Sequence, residues 1–202
     1  MADVPGEAIA QIIAAGQRMD ARGWVPATAG NISLRLAANA IAITASGGHK
    51  GFLSPQQIMC VDLAGRPLSA GKPSAETLLH CQIYRRFSGA GAVLHGHSVA
   101  GTVLSMATQA AMIEFAHYEL LKAFEDQITH ATSLTLPLVD NDQDIAALAA
   151  EMEPRLSDAK LGYLIRGHGV YVWGPDMPTA LARLEGLEFL LACELERRKL
   201  AR

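Results

Sequence analysis

The sequence predicts an α/β protein, a three-layer α/β/α sandwich around a central mixed, largely antiparallel sheet. Two patterns carry that expectation. Short apolar or alternating runs at 32–36, 92–94, 135–139 and 161–165 have the length and period of strands. Between and around them lie longer stretches with apolar residues at helical spacing, the clearest at 4–22 and after Pro175. No internal repeat, low-complexity tract or linker interrupts the 202 residues, so residues 1–202 are expected to form one domain.

Residues 4–22 place Ile9, Ile12, Ile13 and Met19 on one helical face, with Pro5 near the start and Gly23 just past the end. Ile32, Leu34 and Leu36 alternate with Ser33 and Arg35, and Ile41 and Ile43 follow a turn at Ala38-Asn39, which reads as an antiparallel hairpin. Residues 44–51 form the loop richest in glycine and carry hydroxyls and one lysine, a composition that suits either a phosphate cradle or an ordinary turn. A strand at 58–63 and a turn at Gly65-Arg66-Pro67 come next. Ser74 is expected to cap a helix carrying Leu78, Leu79, Ile83 and Phe87, which puts Glu76 in its first turn, where a glutamate also suits the helix dipole.

After the strand at 92–94 a helix is expected over 99–106, and a further helical pattern over 113–124 through Phe115, Leu120, Leu121 and Phe124. A strand at 135–139, an amphipathic helix at 142–156 and strands at 161–165 and 170–173 complete the alternation. The turn at Gly174-Pro175-Asp176 leads into a long helix striped by Leu181, Leu184, Leu187, Leu191 and Leu195.

Composition excludes several classes. Formal net charge is -3 and the Lys and Arg residues are scattered, so no nucleic-acid partner is expected. Three cysteines lie in no metal or redox spacing and the amino terminus lacks a secretory pattern, which together suit a reduced cytoplasmic location. Apolar stretches are interrupted before a span is complete, so no membrane partner is expected either.

Chemistry concentrates at His95-Gly96-His97, where an apolar run delivers two imidazoles at i and i+2. On a strand such side chains share a face and can reach one point. A catalytic zinc site needs three protein ligands and an open position. His168, also at the end of an apolar run and flanked by Gly167 and Gly169, is the candidate third ligand.

These residues, with Thr28-Ala29-Gly30-Asn31-Ile32-Ser33, Ala45-Ser46-Gly47, Lys72-Pro73-Ser74-Ala75-Glu76, His117-Tyr118-Glu119-Leu120-Leu121-Lys122 and Arg166-Gly167-His168-Gly169, resemble the class II aldolase/adducin family nearly end to end. The resemblance implies the α/β/α fold and one zinc ion per subunit on His95, His97 and His168. It also implies a phosphate pocket from Thr28, Gly30, Asn31, Ser46, Gly47 and Ser74, and a homotetramer with active sites at subunit contacts. The partner implied is a small sugar-phosphate substrate. In aldolases of the family a glutamate at the position of Glu76 handles a proton beside the metal; in dehydratases one at the position of Glu119 is the acid/base. Gly96 stands where many members carry threonine, which is expected to loosen the strand. The activity implied is dehydration of 5-methylthioribulose 1-phosphate, the alternatives being a class II sugar-phosphate aldolase or epimerase, or a non-catalytic scaffold.

Overall fold

The computed structural model describes residues 3–124 and 126–201. Its centre is an eight-stranded sheet built from β1 (Asn31–Ala37), β2 (Ala40–Thr44), β3 (Ile58–Asp62), β4 (Ala92–Gly96), β5 (Met112–Ala116), β6 (Ser133–Val139), β7 (Tyr163–Ile165) and β8 (Val170–Gly174), in the order β3-β2-β1-β4-β8-β7-β6-β5. Every neighbouring pair is antiparallel except β6 and β7. Among the described residues five α-helices flank it: α1 (Gly6–Ala21), α2 (Thr77–Arg86), α3 (Val99–Met106), α4 (Ile145–Met152) and α5 (Met177–Leu200).

The period-2 alternation of the strands separates two cores. Ile32, Ala42, Leu94, Leu164 and Val172 face α1, α3 and α5, where Ile12, Met19, Leu104, Leu184, Leu187 and Leu191 are buried. Ile41, Ile43, Val93, Tyr163 and Tyr171 face α2 and α4, against Leu79, Ile83, Leu148 and Met152. Two apolar faces on one sheet, each covered by helices, give the expected three layers. No helix among the described residues is long and apolar enough to cross a membrane.

Three local expectations are corrected. Residues 113–124 are not helical. Met112 to Ala116 alternate exposed and buried, pair with β6 along their whole length, and are followed by a short 3-10 turn at Glu119–Ala123. The apolar residues that suggested one helical stripe are divided between that strand and that turn. The helix expected over 142–156 is capped by Asp144, whose carboxylate accepts from the N–H groups of Ala146 and Ala147, and runs only to Met152. Pro154 then falls inside a 3-10 segment, since proline cannot supply the α-helical N–H. Helix α2 begins at Thr77 with Glu76 in the cap position, so Ser74 is not its cap; the Ser74 hydroxyl instead accepts from the Glu76 N–H at 3.4 Å. Gly96 is buried and paired with Val170 at the end of β4.

Candidate metal centre and phosphate cleft

β4 lies in the middle of the sheet and presents His95 from its penultimate position; His97 follows immediately, its N–H donating to the Trp24 carbonyl at 2.7 Å. His168 arrives from the tight connection between β7 and β8, where Gly167 takes a φ of +64° and the His168 N–H donates to the Ile165 carbonyl at 3.0 Å. Arg166 fixes that connection to its surroundings. Its guanidinium pairs with Asp140 at 2.7 Å and donates to the carbonyls of Ser105, Thr108 and Ala110 around the end of α3. Gly169 is required for a different reason, close approach: a Cβ there would overlap the Gly96 carbonyl and stand 2.9 Å from His95 Cε1.

The three histidines offer ligand nitrogens that all lie within 4.8 Å of one another. His95 is fully buried and its Nδ1–H donates to the Val170 carbonyl at 2.9 Å, which leaves Nε2 as the lone-pair nitrogen. That Nε2 is 3.5 Å from Glu76 Oε2 and has no hydrogen-bond partner. Two acceptors facing each other in a buried site call for a cation, and the donor set of three imidazoles beside a carboxylate is one a divalent transition metal takes. His168 Nε2 stands 2.8 Å from Glu76 Oε1, with its Nδ1 3.3 Å from Asn141 Oδ1. Burial, then the charges of His95 and His168, push His97 down to about 3, so it is neutral at pH 7 and free to ligate.

Glu76 binds this group together from the α2 side. Besides the His168 imidazole it accepts from Asn31 Nδ2 at 2.5 Å. Burial opposes its ionisation, but the neighbouring imidazoles of His168 and His95 outweigh that and hold the carboxyl well below the usual carboxylate range. His95 is further fixed by a ladder of rings across three strands. Tyr171, its register partner on β8, stacks on it at 4.1 Å and 17°, and Tyr163 on β7 stacks on Tyr171 at 4.8 Å and 9°.

Thr28, Gly30, Asn31, Ser46, Gly47 and Ser74, scattered through the first 74 residues, line one cleft of about 320 Å³ together with Lys50, Glu76, His97 and His168. Gly30, at a φ of +80°, lets the first of these loops pass over the metal strand, since a Cβ would lie 2.8 Å from the His95 carbonyl. Glu119 is not among the lining residues. Its side chain is 70% exposed, 2.6 Å from Lys122 Nζ and 3.7 Å from His130 Nδ1. Sequence reasoning placed Lys50 in a loop that suits either a phosphate cradle or an ordinary turn, and missed Asn141, Tyr163 and Tyr171. Lys50 was visible as the lysine of the glycine-rich loop; nothing local marks the other three, which meet the site only through strand pairing and loop return.

The profile of the class II aldolase and adducin N-terminal domain matches residues 10–195. The chain belongs to that family. Among class II aldolase-family proteins it is 66% identical to the methylthioribulose-1-phosphate dehydratase of Granulibacter bethesdensis, over 97% of this chain and 94% of that one. It is 64% identical to the protein of the same name from Gluconobacter oxydans, over 95% and 93%. In fold, this family member superposes on the L-fuculose-1-phosphate aldolase of Thermus thermophilus with a TM-score of 0.78 at 24% identity, covering 96% of this chain and 97% of the other.

One buried carboxyl behind the metal strand has a measurable consequence for this class II aldolase-family fold. Glu188 on α5 is 3% exposed, and burial pushes it up to about 7 against a hydrogen bond from Ser98, the residue after His97. Between its ordinary value of 4.5 and about 7 the unfolded chain releases this proton and the folded protein keeps it. Its contribution to stability is therefore full below pH 4.5 and lost as pH rises to about 7. Glu188→Gln is expected to gain on the wild type by about 3 kcal/mol between pH 4.5 and 8 in denaturant unfolding. An equal difference between the two proteins at both pH values would contradict the assignment.

Proposed function

We propose that this protein is a zinc-dependent hydro-lyase that dehydrates 5-methylthioribulose 1-phosphate to 2,3-diketo-5-methylthiopentyl 1-phosphate in cytoplasmic methionine salvage. The observation that carries the reading is the 66% identity to a dehydratase of that name over nearly the whole of both chains. The three-histidine group opening on a cleft lined by hydroxyls, glycines and one lysine is what such a substrate needs. Residues 1–202 act as one domain, with one zinc ion per subunit on His95, His97 and His168.

Dehydration removes the C3 proton and breaks the C4–O bond, and the enol so formed tautomerises to the diketone. When bound, the zinc ion supplies Lewis acidity for the negative charge that develops on the C2 and C3 oxygens. The chain must supply the rest. Thr28, Gly30, Asn31, Ser46, Gly47 and Ser74 hold the phosphate, so that remote binding energy places C3 and C4. Glu76, anchored by Asn31 beside His95 and His168, lies within reach of a substrate at C2 and C3. Hydroxide leaves poorly without a proton, and Glu119 is the acid/base: its carboxylate takes the proton from C3 and hands it to the departing C4 hydroxyl, which leaves as water.

Glu119 does not line the cleft of its own chain, and we infer that it serves the cleft of a neighbouring subunit in a homotetramer. Supporting that, the elements beside the site expose apolar side chains: Val99, Val103 and Met106 form one stripe on α3, and Met112, Leu120 and Ile128 are exposed around the Glu119 segment. The carboxylate of Glu76 among the metal ligands also favours a second reading, a class II sugar-phosphate aldolase. Mass spectrometry of the product separates them. A dehydratase gives one product lighter than substrate by one water; an aldolase gives dihydroxyacetone phosphate and an aldehyde.

A further inference from the structure

Lys50 is a buried cation with no anion against it among the described residues. Its residue is 2% exposed, in the 3-10 turn Lys50–Phe52 that α1 covers so closely that a Cβ at Gly16 would overlap the Lys50 carbonyl. The ammonium donates to the carbonyl of Thr28 at 2.8 Å and to that of Gly48 at 2.6 Å. Those carbonyls belong to the two separate loops that bring Thr28, Gly30, Asn31, Ser46 and Gly47 to the cleft, and Nζ ties them together. Among the described residues no carboxylate lies within ion-pairing distance of it.

Burying an ammonium without a paired anion is expensive, and two neutral carbonyls replace only part of its hydration. Glu76 acts on it at longer range and offsets some of the burial that lowers its pKa, but the Glu76 oxygens are engaged by Asn31, His95 and His168. An ammonium has three protons, and the two carbonyls take two. Among the described residues Lys50 is also the only lysine or arginine lining the cleft. A divalent ion on the histidines would, together with Glu76 and Lys50, give the cleft the positive charge that a phosphate dianion neutralises.

We propose that Lys50 is the cation that receives the substrate's phosphate dianion, its third N–H completing a cradle whose two loops the same ammonium holds in place. The proposal rests on the phosphoketose reading above and adds to it the group that selects a dianion. A neutral or singly charged sugar leaves Lys50 uncompensated and binds weakly; a phosphate monoester compensates it.

The test is calorimetric titration of inorganic phosphate into the zinc-loaded protein. Lys50→Met is expected to weaken phosphate binding by about ten- to a hundredfold, the range for losing a charge-assisted hydrogen bond, with zinc stoichiometry unchanged. In turnover the same variant raises KM by a similar factor and changes kcat less. A folded, zinc-loaded Lys50→Met protein that binds phosphate as the wild type does would overturn the proposal. If that variant does not fold, wild-type protein labelled with ¹⁵N-lysine decides: the Nζ signal of Lys50 shifts on adding phosphate, and an unmoved signal at saturating phosphate overturns it. Inorganic phosphate has no carbon skeleton, so Lys50-dependent binding in a protein that fails to dehydrate the phosphoketose counts against the activity reading and leaves this one standing.

Discussion

His97→Ala is expected to lose zinc and turnover together. His95, His97 and His168 are held so that their ligand nitrogens converge, and His97 is neutral at physiological pH. Two histidines and a carboxylate already bonded to Asn31 do not replace the three-imidazole set. A bound zinc ion contributes several kcal/mol of transition-state stabilisation, so the rate should fall by at least about a thousandfold. Metal analysis of the purified variant checks the cause. Unchanged zinc stoichiometry would remove His97 from the ligand set, whatever happened to the rate.

Glu119→Gln should behave in the opposite way, keeping its zinc while kcat falls by about a hundred- to ten-thousandfold, the usual worth of general acid/base catalysis. Glutamine keeps the shape and loses the proton-transfer function. Because Glu119 lies outside the cleft of its own chain, complementation is also expected. Hybrid oligomers co-expressed from His97→Ala and Glu119→Gln chains contain sites in which an intact histidine set meets an intact Glu119, and they recover part of the activity. A fully active, zinc-loaded Glu119→Gln enzyme would take this residue out of the mechanism; hybrids as inactive as their parents would return its action to its own chain.

How much of this was legible beforehand depended on the range of the interactions concerned. His95 and His97 could be paired from sequence because period 2 on a strand is a local rule, and β4 obeys it. His168 could be added because the glycines around it signal close backbone approach, which Gly169 makes against His95. The same kind of reasoning misread 113–124, where apolar spacing fits a helix but β6 supplies the partner for a strand. It also placed Ser74 as a cap, although the helix starts three residues later with the Glu76 side chain turned to the histidines rather than to its own N–H groups. The role of Lys50 depends on two loops distant in sequence meeting at one ammonium, and the stacking of Tyr171 on His95 depends on the register of β8 against β4. Neither pairing is encoded within any short window of residues.

The measurement that bears most directly on the central claim is carbon NMR of the zinc-loaded protein acting on 5-methylthioribulose 1-phosphate labelled with ¹³C at C3 and C4. Dehydration leaves those carbons bonded and coupled while C3 becomes a ketone and C4 a methylene, and this is the result expected. Loss of the C3–C4 coupling, with the label divided between dihydroxyacetone phosphate and an aldehyde, would contradict the dehydratase account and make Glu76 the centre of an aldolase.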